Sequence, residues 1–146
     1  MDLVLVPFAH GQENELVRMW RESFEGGVGI VDPHPVEEQR AYLEEKLLPT
    51  HDVRVALLNG LMVGFVATTR ESVSQLHVRR SHQRAGIGTI LLDWAKAQST
   101  GSLWLFTFAR NAAARAFYEK NGFVIVARGF EPHWQLEDIK YEWRPE

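Results

Sequence analysis

Hydrophobic and polar positions change their period several times along this chain. Residues 3–6 form a short apolar run that reads as a strand. Over residues 14–24, Leu16, Met19, Trp20 and Phe24 recur at helical spacing, which predicts an amphipathic helix. The segment Glu25-Gly26-Gly27-Val28-Gly29-Ile30 is expected to break it. Asp32-Pro33-His34-Pro35 then sets up a second helix, with a proline near its first turn and Glu37 and Glu38 near its positive end. Leu43 and Leu47 mark that helix's buried face. Residues 53–58 and 61–69 read as two strands joined by Asn59-Gly60, the dipeptide that a two-residue hairpin favours.

A further strand over residues 72–78 leads into a glycine-containing loop, and Ile87, Ile90, Leu91 and Trp94 then mark a third helix. Gly101 ends it, and residues 103–108 form the next strand. Asn111 caps a fourth helix that stops at Asn121-Gly122, and residues 123–127 and 139–143 supply the last strands. The order β-α-α-β-β-β-α-β-α-β-β predicts one α/β (α+β) domain over residues 1–146. Its sheet should be mixed and mostly antiparallel, of about six or seven strands, with about four helices on both faces. The strand-helix-strand unit over residues 72–108 should cross over right-handed.

Composition narrows the chemistry. The 146 residues are 45% hydrophobic and 24% charged, which suits a packed globular domain. A net charge of −3 gives no basic excess for nucleic acid or an anionic membrane. With no cysteine, a thiolate nucleophile and a cysteine metal site are excluded, and the six histidines show no paired ligand spacing, so no metal is expected. The N-terminal run lacks a basic flank and is too short for a signal peptide, and no stretch is long and apolar enough to span a bilayer. A cytoplasmic protein is the expectation.

The run Gln83-Arg84-Ala85-Gly86-Ile87-Gly88-Thr89 sits between a predicted strand and a predicted helix. Glycines there leave main-chain N–H groups bare at the positive end of a helix, a natural seat for phosphate. A Walker A loop would need lysine after its last glycine, and Thr89 follows Gly88. A dinucleotide fingerprint would need a third glycine, and position 91 is leucine. Both nucleotide readings, ATP and NAD, weaken.

What remains, Gln83-Arg84-Ala85-Gly86-Ile87-Gly88, resembles the coenzyme A pyrophosphate loop of the GNAT superfamily of N-acetyltransferases. The segment Asn111-Ala112-Ala113-Ala114-Arg115-Ala116-Phe117-Tyr118-Glu119-Lys120-Asn121-Gly122-Phe123 is similar to that superfamily's Asn-x-x-Ala-x-x-Phe-Tyr-x-x-x-Gly-Phe stretch. Leu76-His77-Val78 resembles its strand end before the loop. The element order matches over essentially the whole chain.

The resemblance implies transfer of an acetyl group from acetyl-CoA to a primary amine by direct attack in a ternary complex. The absence of cysteine agrees, since it excludes an acetyl-cysteine intermediate. It implies coenzyme contacts from Leu76, His77, Val78, Gln83, Arg84, Ala85, Gly86, Ile87, Gly88, Thr89, Asn111, Phe117 and Tyr118. Tyr118 is implied as the general acid toward the leaving thiolate. A strand bulge near His77 and Val78 is implied, freeing main-chain groups for the pantetheine arm and the thioester carbonyl.

The base is open. Glu71, Gln75 and His77 share a strand face by a period of two, so His77 or Glu71 could serve, or a water relay past Ser72. The acceptor, a small-molecule or peptide amine, should meet Trp20, Phe24, Gly29, His34, His133 and Trp134. Glu25, Asp32 and Glu131 bias that region acidic. A homodimer stands as an option. The alternatives are a non-catalytic acyl-CoA-binding module on the same fold, or a transferase using a longer acyl-CoA.

Overall fold

The computed structural model describes residues 2–145. Seven strands and four α-helices follow in the order β1 (Leu3–Pro7), α1 (Glu13–Val28), α2 (Val36–Tyr42), β2 (Asp52–Leu58), β3 (Leu61–Thr68), β4 (Val73–Val78), α3 (Ile87–Ala97), β5 (Leu103–Phe108), α4 (Ala112–Lys120), β6 (Val124–Glu131) and β7 (Leu136–Trp143). A π-turn over Leu43–Leu47 continues α2, and a 3₁₀ turn over Arg80–His82 follows β4. The expected class, order and helix number hold. The hairpin dipeptide does its expected work: Asn59 and Gly60 both take positive φ, 50° and 84°, and Leu58 pairs with Leu61.

The strands form two antiparallel sheets, β1-β2-β3-β4 and β5-β7-β6. One parallel bridge, Ser72 to Trp104, joins them. β3 has neighbours on both sides, and all its residues after Leu61 are buried. Its alternation splits the core in two. Phe65 and Ala67 face α1 and α2, with Leu16, Met19, Trp20, Leu43 and Leu47. Val63 and Val66 face α3 and the second sheet, with Leu91, Leu92, Leu105, Tyr118 and Tyr141. Gly64 sits among them because α3 comes too close for a side chain: a Cβ there would lie 3.0 Å from both Leu91 and the His77 carbonyl.

Two boundaries differ from expectation. α1 does not break at Glu25; it runs through Gly26 and Gly27 to Val28 and stops at Gly29, which takes φ 80° and returns its N–H to the Glu25 carbonyl. β6 and β7 are longer than their apolar runs, since their hairpin extends to Glu131 and Leu136, beyond the residues that it buries.

Candidate active site

β4 and β5 start side by side and then part. At the closed end, Ser72 bridges Trp104, whose N–H donates to the Glu71 carbonyl at 3.0 Å. No further bridge joins them among the described residues, so a wedge-shaped cleft opens toward Val78 and Phe108. The Arg79 N–H donates to the Val63 carbonyl at 2.7 Å. That makes Gly64 and Val78 a non-hydrogen-bonded pair, with the N–H and C=O of Val78 turned away from β3 into the cleft. Leu76, two residues back, is turned the same way. The Gln83 side chain donates to the Val78 carbonyl at 3.1 Å, and the Val78 N–H, turned from β3, has no strand partner.

A bulge does occur in β4, at Ser74 and not at His77–Val78: Thr68 pairs with Val73, and Ala67 with Gln75. It reverses the side-chain phase. Val73 packs in the α3 core, while Gln75 and His77 face α1. Glu71 therefore does not share their face. It lines a hollow at the closed end with His51, Arg70, Ser74 and Trp104, at the opposite end of β4 from His77. Ser72 is buried and its hydroxyl is held by Thr69 at 2.7 Å.

The open end carries the loop. Arg79 is pinned, its Nε donating to the Met62 carbonyl at 2.8 Å and its guanidinium 3.3 Å from Glu15. Arg84 and Gly86 both take positive φ, 64° and 87°, turning the chain into α3. The first backbone bond there runs from the Ile90 N–H to the Gly86 carbonyl, at 3.2 Å. The N–H groups of Ile87, Gly88 and Thr89 thus have no helical acceptor, and no side chain caps them. A Cβ at Gly88 would lie 3.2 Å from the Phe117 ring, so the start of α3 rests directly on α4.

α4 begins where β5 ends. The Asn111 side chain accepts from the Ala114 N–H at 3.1 Å, an N-cap as expected. Tyr118 is buried against Phe117, Phe123 and Tyr141, with ring centroids 5.2, 5.6 and 6.3 Å away. Burial pushes its phenol above the ordinary value. Tyr141 instead donates to Glu119 and accepts from Arg115.

His77 stacks on Phe65 at 5.5 Å. Its Nε2 pairs with Gln75 Oε1 at 2.9 Å and its Nδ1 with Ser23 Oγ at 3.0 Å. Since the amide oxygen only accepts, Nε2 carries the proton and Nδ1 accepts from the serine. Burial pushes the imidazole down to about 3. Both ring nitrogens are engaged, so the ring has no lone pair to offer a substrate.

α1 crosses the open end. Its Gly26 lies against Arg80 and its Gly27 against Asn111, each so near that a Cβ would fall 2.7 Å from the side chain. Gly29 sits beside Arg110. This brings four of the expected acceptor residues, Phe24, His34, His133 and Trp134, together with one that the sequence did not single out, Phe108. Trp134 lies 4.8 Å from Phe24 and 6.4 Å from Phe108. His34 stacks on His133 at 4.7 Å and meets Trp134 edge-on at 4.7 Å. Trp20 stands apart, in the core between Tyr42, Phe65 and His77.

Arg21, also missed, holds the loop before α2 by donating to the carbonyls of Asp32 and His34. Its only sequence signal was a helix position opposite a Pro-rich turn. No group of three or more His, Asp or Glu able to hold a metal occurs among the described residues, and none of their helices is long and apolar enough to cross a membrane.

A family model described as "Acetyltransferase (GNAT) domain" matches residues 49–125, more than half the chain. No curated protein matches the sequence. Among solved structures, apo YjaB from Escherichia coli is 20% identical, with 98% of each chain covered and a TM-score of 0.82. PaiA N-acetyltransferase from Thermoplasma acidophilum, in complex with coenzyme A, is 19% identical, with 99% of this chain and 100% of that one covered and a TM-score of 0.78. YncA from Salmonella typhimurium, a putative acetyltransferase with acetyl-CoA, is 16% identical, with 100% and 95% covered and a TM-score of 0.72. The matched span contains both the bare-amide loop and α4, and by it the chain belongs to the GNAT acetyltransferase family.

Proposed function

We propose that this protein transfers an acetyl group from acetyl-CoA to a primary amine by direct attack. The observation that carries the reading is the wedge between β4 and β5, which opens onto the bare N–H groups of Ile87, Gly88 and Thr89. Those amides and exposed Arg84 suit a pyrophosphate. The outward groups of Val78 and the C=O of Leu76 suit the amides of a pantetheine arm lying between the strands, as an added strand would. That PaiA and YncA share the fold and hold coenzyme A and acetyl-CoA supports this choice of donor.

Each residue then has a limited task. The Leu76 N–H, farther than Val78 from the phosphate loop, is the donor available to a thioester oxygen as charge develops on it. Tyr118, kept protonated by burial, donates a hydrogen bond to the departing sulfur. Full transfer from a phenol near 10 to a thiolate whose thiol lies near 8.5 is uphill by about 2 kcal/mol, and burial adds to that. Tyr118 therefore passes its proton only as it collects the one leaving the new amide nitrogen. Glu71 is too far along β4 to act as base, and His77, pushed down to about 3, is too weak a base to take a proton from an ammonium. The aromatic cluster of Phe24, Phe108 and Trp134 walls the acceptor side.

The test is thiol release from acetyl-CoA in the presence of a panel of amino acids, polyamines, aminoglycosides and dipeptides, read with a colorimetric thiol reagent. The chain has no cysteine, so it adds no background. At least one amine should raise thiol release well above hydrolysis. Tight coenzyme binding with no amine-dependent release would leave a binding module instead.

A further inference from the structure

We infer that His34, held by Asp32, is the group that takes the proton from the acceptor's ammonium. The inference rests on the acetyl transfer proposed above and supplies the base which that reaction needs. His34 Nδ1 lies 2.9 Å from Asp32 Oδ1. A carboxylate only accepts, so Nδ1 carries the proton and Nε2 is left with a free lone pair. Nε2 has no hydrogen-bond partner among the described residues, whereas both nitrogens of His77 are taken.

The pair is built. The Asp32 side chain is 7% exposed and that of His34 29%, so the carboxylate lies behind the imidazole and the imidazole reaches solvent. The same Asp32 oxygen accepts the His34 main-chain N–H at 2.9 Å, fixing backbone and ring together. Glu25 accepts the Asp32 N–H at 2.7 Å, and Arg21 donates to the Asp32 carbonyl at 2.8 Å. The groups facing the ring are thus Asp32 from its own loop, Arg21 and Glu25 from α1, and His133 from the β6–β7 turn. Glu131 anchors that turn by accepting the Trp134 N–H at 2.6 Å. Trp134 connects His34 to Phe24 and Phe108, and Phe108 ends the β5 wall of the cleft.

The step balances. The ammonium gives one proton to Nε2, directly or through one water, leaving a neutral amine and an imidazolium beside Asp32. The amine lone pair forms the C–N bond and the C–S bond breaks. The second nitrogen proton passes to Tyr118 as the Tyr118 proton goes to sulfur. The imidazolium returns its proton to solvent, so one proton is released per acetyl transferred. Asp32 is a positioning residue: it fixes the tautomer and stabilises the imidazolium.

The experiment measures kcat/KM against pH for wild type, His34→Gln and Asp32→Asn, with acetyl-CoA and the panel amine that wild type acetylates fastest. Acetyl-CoA affinity is followed by calorimetry. His34→Gln should lose about a hundredfold at pH 7 with donor affinity unchanged. Its deficit should shrink as pH rises toward the amine's own pKa, and added imidazole should restore part of the rate. Asp32→Asn should lose rate less, because its amide oxygen still accepts from the His34 main-chain N–H and from Nδ1 but brings no charge to stabilise the imidazolium. A His34→Gln enzyme that keeps the wild-type profile overturns the inference. So does one that loses rate equally at every pH without imidazole rescue. If wild type releases no thiol with any amine, the acetyl-transfer reading itself falls, and this inference with it.

Discussion

On the β4 side, the cleft is lined by main chain: the outward groups of Leu76 and Val78 and the bare amides of Ile87, Gly88 and Thr89. On the α1 side it is lined by side chains drawn from four segments, with Phe24, Phe108 and Trp134 in mutual contact and His34 meeting Trp134. A wall of peptide groups recognises a ligand whose shape does not vary, and it needs only that no side chain intrude. A wall of side chains recognises whatever its particular residues fit. The first kind suits a common donor and the second an individual acceptor.

The largest effect expected from breaking this division is at Gly88. A valine there would drive its Cβ to 3.2 Å from the Phe117 ring and cover the bare amides. Calorimetry should show acetyl-CoA affinity lowered by a hundredfold or more, and retained affinity would remove the loop from the donor site. Next comes Tyr118→Phe, which keeps the packing against Phe123 and Tyr141 but removes the hydroxyl. Its kcat should fall about a hundredfold with donor affinity nearly unchanged. An equal kcat would assign the thiolate's proton to solvent.

Trp134→Ala tests the other wall. Its loss should raise KM for the amine about tenfold and leave donor affinity alone, and a change in donor affinity instead would merge the two walls. The smallest effect concerns His77, whose pKa is about 3 in the folded protein against an ordinary 6.5. The unfolded chain takes up the proton first, so the stability from this residue is full above pH 6.5 and is lost as pH falls toward 3. The slope contributed is at most about 1.4 kcal/mol per pH unit. Urea midpoints at pH 7 and pH 5 should differ less in His77→Asn than in wild type, and an equal difference would contradict a neutral, buried ring.

The same division governs what the sequence disclosed. The main-chain wall depends on a short contiguous run, and Gly86 marks it for a local reason, a positive φ, whereas Gly88 was read from the motif although its own reason, the Phe117 ring, lies far along the chain. The Asn59-Gly60 hairpin and the Asn111 cap were legible for local reasons too. The side-chain wall was read less completely. Phe24, His34 and Trp134 were singled out, but Phe108 reads as an ordinary strand residue until α1 and the β6–β7 turn close on it.

Long-range contact also explains what was misjudged. Gly26 and Gly27 look like a helix break, yet they stay helical, and the reason they are glycine is that Arg80 and Asn111 come too close for a side chain. The bulge at Ser74 leaves no mark in composition, and it alone moved Glu71 off the face of Gln75 and His77. Gly64 gave no signal because its reason, the close approach of α3, lies more than twenty residues away.

The single bridge between Ser72 and Trp104 has a thermodynamic consequence. Two sheets joined at one bridge among the described residues form a sheet with a gap where a strand could lie. A ligand pairing with Leu76 and Val78 becomes part of the fold as well as its cargo. At a hundred times its dissociation constant, such a ligand adds about 2.7 kcal/mol to the folded state. The melting temperature of this protein should therefore report how well such a ligand is supplied.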